Sequence, residues 1–67
     1  MVDKFLKVPA VLDAAGVNKS TLYKMIRAGQ FPRPVKPNDD RMVRWLASEI
    51  AAWQKARILA RDQAKAA

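Results

Sequence analysis

The stretch "GVNKSTLYKMIRAGQFP", Gly16 to Pro32, sets a short helical pattern between two glycines. Leu22, Met25 and Ile26 recur at helical spacing. At about 100° per residue they share one face. Ser20, Lys24 and Arg27 then gather within an arc of about 60° on the opposite face, with Tyr23 on its flank. Asn18 is a good N-cap, able to accept from the free N–H groups of Ser20 or Thr21. The spacing predicts a helix from there to Ala28, ended by Gly29.

Upstream, Pro9 suits a first helical turn, where no backbone N–H is needed. Val11, Leu12 and Ala15 give a short apolar stripe, and Gly16 ends it as a left-handed cap. Two helices joined by a few residues that include a glycine form a helix-turn-helix pattern, over about 9–28. Its second helix presents cations and short hydrogen-bonding groups outward. That composition suits a helix laid in a major groove, with Lys19, Lys24 and Arg27 meeting phosphates and Ser20, Thr21 and Tyr23 near base edges.

Downstream, "FPRPVKPNDDRMVRW" contains Pro32, Pro34 and Pro37, which forbid helix and favour extended chain at a sheet edge. Pro37-Asn38-Asp39-Asp40 is turn chemistry. Arg41, Val43 and Trp45 alternate with Met42 and Arg44, as in a strand with one buried face. Val35 is expected to pair with Val43 across a small hairpin. A hairpin over about 33–45 directly after a recognition helix is a wing, with Arg33, Lys36, Arg41 and Arg44 along its flanks, placed for phosphates or a minor groove. A last helix is expected over about 48–64. Ser48 is its N-cap, Glu49 lies in its first turn, and Ile50 and Trp53 close the core over Leu22, Phe31 and Trp45. Beyond Trp53 the helix has little to bury and its last residues are expected to fray. Arg57, Arg61 and Lys65 form a basic stripe there, while Ile58 and Leu59 are either partly exposed or meet a second copy of the chain.

Composition narrows the function. The chain has 67 residues, enough for a single domain with a thin core. Thirteen Lys and Arg against six Asp and Glu give a net charge of +7, and residues 17–44 hold most of the excess. Such a balance points to phosphate backbones, acidic surfaces or acidic proteins as partners. There is no cysteine and no histidine. Thiolate zinc sites, thiol nucleophiles and the commonest general base are therefore excluded. Ser20, Thr21 and Ser48 lack a histidine to activate them, and Asp39 and Asp40 are adjacent on a turn, pointing apart. No catalysis, metal or cofactor is expected. No apolar run reaches signal-peptide or membrane-span length, so a cytoplasmic protein without a membrane partner is expected.

The segments "FLKVPAVLDAAGVNKSTLYKMIRAGQFPRPVK" and "RMVRWLASEIAAWQKARILAR" resemble the AlpA-like phage and prophage regulators. These are small winged-helix proteins related to excisionases and to MerR-type DNA-binding domains. The run "AGQFPRPV" and the spacing of "VRWLASEIAAW" are the most specific parts of the resemblance. It implies a mainly α fold with a small β-hairpin, and a transcription factor of mobile-element origin acting near an integrase gene or attachment site. By position, Lys19, Ser20, Thr21, Tyr23, Lys24 and Arg27 match the family's recognition helix, and Arg41 its wing arginine. One departure stands out: family wings look glycine-containing at the tip, whereas this tip reads "KPNDDR". Asn38 can take the left-handed conformation, but Asp39 and Asp40 would repel phosphate.

The expected function is thus sequence-specific regulation of transcription through double-stranded DNA, with RNA polymerase or an integrase as a further partner. A recombination directionality factor on attachment-site DNA would use the same fold. A protein-interaction module such as an anti-repressor, meeting an acidic partner, is the alternative of another class.

Overall fold

Two left-handed glycines and one asparagine fix the helix-turn-helix. In the computed structural model, which describes residues 2–37 and 42–66, helix α1 spans Val8–Ala15 with Pro9 in its first turn. Gly16 ends it at φ 70°, and the Gly16 N–H donates to the Leu12 carbonyl at 2.8 Å. Helix α2 spans Lys19–Arg27, and the Asn18 side chain accepts from the Thr21 N–H at 2.8 Å. At its far end Gly29 takes φ 74°. There the Gly29 N–H reaches Ile26 O at 3.1 Å and the Gln30 N–H reaches Met25 O at 2.9 Å. This is a Schellman closure, which satisfies the last carbonyls and turns the chain sharply out of the helix.

The core is one small cluster: Val11 of α1, Leu22 of α2, and Phe31, Trp45 and Ile50 are all buried. Burying each such side chain contributes about 1.5–3 kcal/mol. Leu12, Val17, Met25 and Ile26 pack on this cluster from the helix-turn-helix side. The inward faces expected of both helices are therefore the buried ones.

The two tryptophans hold the segment that leaves α2. The Trp53 indole N–H donates to Gln30 O at 2.9 Å, and the Trp45 indole N–H donates to Pro32 O at 3.0 Å. Between these anchors the Phe31 ring meets Trp53 edge-on, with centroids 4.8 Å apart at 62°. Residues 30–32 cannot leave without stranding two indole donors and opening the core. Trp53 does this from a half-buried position, whereas the sequence places it inside with Ile50. Its acceptor Gln30 is exposed, whereas the Pro32 carbonyl that Trp45 reaches is half-buried.

The sheet departs most from expectation. Strand β1, Phe5–Leu6, pairs antiparallel with strand β2, Trp45–Leu46, in the register Phe5–Leu46 and Leu6–Trp45. Nothing in the sequence reading foresaw β1. The wing is joined at a bridge between Val35 and Arg44, not Val35 and Val43. Its two backbone hydrogen bonds, Val35 N–H to Arg44 O and Arg44 N–H to Val35 O, measure 2.7 and 2.9 Å. Ala47 N–H donates to Lys4 O at 2.8 Å on the other side. Alternate residues of a strand address opposite neighbours. Residues 44–47 therefore lie between the wing segment and the N-terminal segment. Val43 is excluded from the ladder because it packs on the core instead. The turn Asn38-Asp39-Asp40 and Arg41 lie outside the described residues.

Helix α3 spans Ala47–Ala66, a residue earlier at its start and two residues later at its end than the sequence suggests. Ser48 is not its N-cap. Asp3 takes that role from far away in sequence: its carboxylate accepts the Ser48 N–H at 3.2 Å and also the Ser48 hydroxyl. A carboxylate at a helix N-terminus satisfies free donors and complements the dipole. These bonds, the Ser48 hydroxyl first, hold the Asp3 carboxyl below its ordinary range. Gln54 ties α3 to α1, donating to Ala14 O at 2.9 Å. With three helices, a two-stranded antiparallel sheet and the bridged wing segment among the described residues, the chain is a mainly helical winged helix-turn-helix.

Candidate nucleic-acid interface

The outward side of α2 is built by what its inward side must do. Leu22 is fully buried, and Met25 and Ile26 are half-buried against the core. Helical geometry then turns Ser20, Lys24 and Arg27 away from the body. All three are exposed, as are Lys19 and Thr21 at the start of the helix. Tyr23 is half-buried on the flank. The Asn18 cap and the Gly29 closure fix both ends of the helix, so these side chains leave a rigid element.

Their polar groups are uncommitted. Among the described residues, Lys19, Lys24, Arg27, Arg33 and Lys36 have no acidic partner; the ion pair found there joins Arg61 to Asp62 at 2.8 Å. The hydroxyls of Ser20, Thr21 and Tyr23 likewise make no hydrogen bond among the described residues. Unpaired cations beside free donors and acceptors form a surface without internal compensation.

The wing residues are placed less uniformly. Arg33 and Lys36 are exposed on the segment that the tryptophans anchor. Arg44 is half-buried, and its guanidinium donates to the Val43 carbonyl at 2.7 Å, leaving its other N–H groups. Arg41 and the acidic tip lie outside the described residues. The two tryptophan anchors explain how the wing is set relative to α2: Gln30 and Pro32 follow α2 directly, so the segment carrying Arg33 emerges at a fixed point beside it. Sequence reasoning had no signal for these anchors, because an indole N–H does not announce its acceptor. Asp3 was missed for the same reason.

Among the described residues no group of three or more His, Cys, Asp or Glu side chains could hold a metal. No described helix is long and apolar enough to cross a membrane.

The family model described as Prophage CP4-57 regulatory protein (AlpA) matches residues 4–58. This span takes in both helices of the helix-turn-helix, the wing segments and the core-packing half of α3. The chain is also similar to the uncharacterized protein ORF88 of Enterobacteria phage P4, at 42% identity over 61 residues, covering 91% of this chain and 68% of that one. No solved structure matches it. The run "AGQFPRPV" and the run "VRWLASEIAAW" are the two sides of one contact, in which Trp45 and Trp53 grip residues 30–32. The chain belongs to the AlpA family of prophage regulatory proteins.

Proposed function

We propose that this regulator acts as a sequence-specific double-stranded DNA-binding protein, with α2 in the major groove and the wing on the flanking backbone. The observation that supports this best is the outward face of α2: Ser20, Lys24 and Arg27 are exposed and unpaired opposite a buried Leu22, on a helix capped at both ends. A rigid helix of that width and chemistry fits a major groove, where its N-terminal residues approach base edges. Lys19, Ser20, Thr21, Tyr23 and Lys24 would contact base edges or nearby phosphates, and Arg27 completes that face. Arg33, Lys36, Arg41 and Arg44 would grip the backbone beside it. The whole chain, 1–67, would serve as one DNA-binding domain, working in the cytoplasm without a cofactor and without catalysis.

Gripping by several cations has a direct signature. With four or five of them on phosphates, log K should fall against log salt with a slope of about −4 in anisotropy titrations of duplex DNA. A slope near zero would remove the DNA reading.

A further inference from the structure

On the side of the molecule that the DNA reading leaves unused, a groove of about 640 Å³ runs between the helix-turn-helix and α3. Val17, Met25, Trp53 and Ile58 supply its apolar wall, and Arg57 stands at its rim. Met25 lies about 140° around α2 from Ser20, so the groove faces away from the outward surface of that helix. Its floor is polar-satisfied: the Trp53 indole is bonded to Gln30 O and the Gln54 amide to Ala14 O. Arg57 is different. It is exposed and, among the described residues, without an acidic partner. Ile58 beside it is 52% exposed, a large aliphatic side chain turned to an open apolar wall.

We infer that this groove docks an acidic amphipathic segment of another protein, its apolar side chain seated against Met25, Trp53 and Ile58 and its carboxylate on Arg57. Charge complementarity selects this occupant over a second copy. The chain carries +7, and Arg57, which lines the groove, has no acidic partner among the described residues. Two copies joined here would set one +7 chain against another, whereas glutamates on a partner would be drawn to Arg57. Aliphatic anchoring beside a charged rim is the pattern of helix-in-groove recognition. The inference stands on the groove itself and does not require the DNA reading.

A short helical peptide with leucines one turn apart among glutamates serves as the probe, titrated into the full chain and followed by the Met25 methyl and Trp53 indole N–H resonances. Both signals are expected to move. Ile58→Glu and Arg57→Glu should each weaken binding about tenfold or more. Both sites are exposed, so both variants should melt like the parent. The same peptide with lysine for each glutamate, or serine for each leucine, should leave the two resonances in place. The proposal is overturned if no shift appears up to millimolar peptide, or if the serine version binds as well as the leucine one. It is equally overturned if Lys24 and Arg27 respond instead of Met25 and Trp53. Movement of the two resonances with protein concentration alone, with a dimer in sedimentation, would give the groove to a second copy.

Discussion

Helix α2 and the outer half of α3 carry similar cations and live under different physics. In α2, Lys19, Lys24 and Arg27 ride on a helix with a buried leucine, an asparagine cap and a glycine closure. In α3 beyond Trp53, Lys55, Arg57 and Arg61 ride on residues that are all exposed as far as Ala64, with Leu59 57% exposed. Past Gln54, which bonds to Ala14 O, that outer half is held by helix propensity and its attachment to the inner half. Positive charge is common to both; a face fixed by a fully buried side chain and by caps at both ends belongs to α2. A surface that must tell one base pair from another needs the second property, while attraction to phosphate needs only the first.

The contrast can be broken by removing what fixes α2. Leu22→Ala should cost about 3 kcal/mol, a large share of the stability of so small a domain, whereas Leu59→Ala should stay within about 0.5 kcal/mol. Thermal melts of the two variants check both. Trp53→Ala should cost about 2–3 kcal/mol, because it removes the Phe31 contact and the bond to Gln30 together. An unchanged melting temperature would show that residues 30–32 need no anchor. Asn18→Ala should cost about 1 kcal/mol by freeing the Thr21 N–H, and it should loosen α2 without touching α3.

The smallest effect concerns Asp3. Its carboxyl is held low by the Ser48 hydroxyl and backbone N–H. A depressed folded value means that the contribution is present above the ordinary range of about 3.9 and is lost as pH falls through the folded value. The melting temperature should therefore drop on acidification by more in the parent than in Asp3→Asn. Parallel acid profiles for the two would show that the clasp adds no stability.

The helix-turn-helix was legible in the sequence because its signals are local. Pro9, Gly16, Asn18 and Gly29 each act within a few residues, and each does in the structure what its chemistry requires. Long-range pairing was not legible. Phe5 and Leu6 meet Trp45 and Leu46 through strands of two residues, too short to show any alternation. Hairpin register depends on the turn between Val35 and Arg44, and a shift of one residue is invisible to hydrophobic pattern when Val43 has a place in the core anyway. The outward face of α2 was legible as a face. Its lack of internal partners, which is what recommends it as an interface, required the structure.

Selection of bound sites from random DNA tests most directly whether α2 reads and the rest grips. Lys24→Ala should relax base preference at one or two positions, each discrimination being worth about 1–3 kcal/mol. Arg44→Ala should recover the parental motif, weaken binding to all sequences alike and flatten the salt slope by about one unit. A parental motif from Lys24→Ala together with an altered motif from Arg44→Ala would contradict the account.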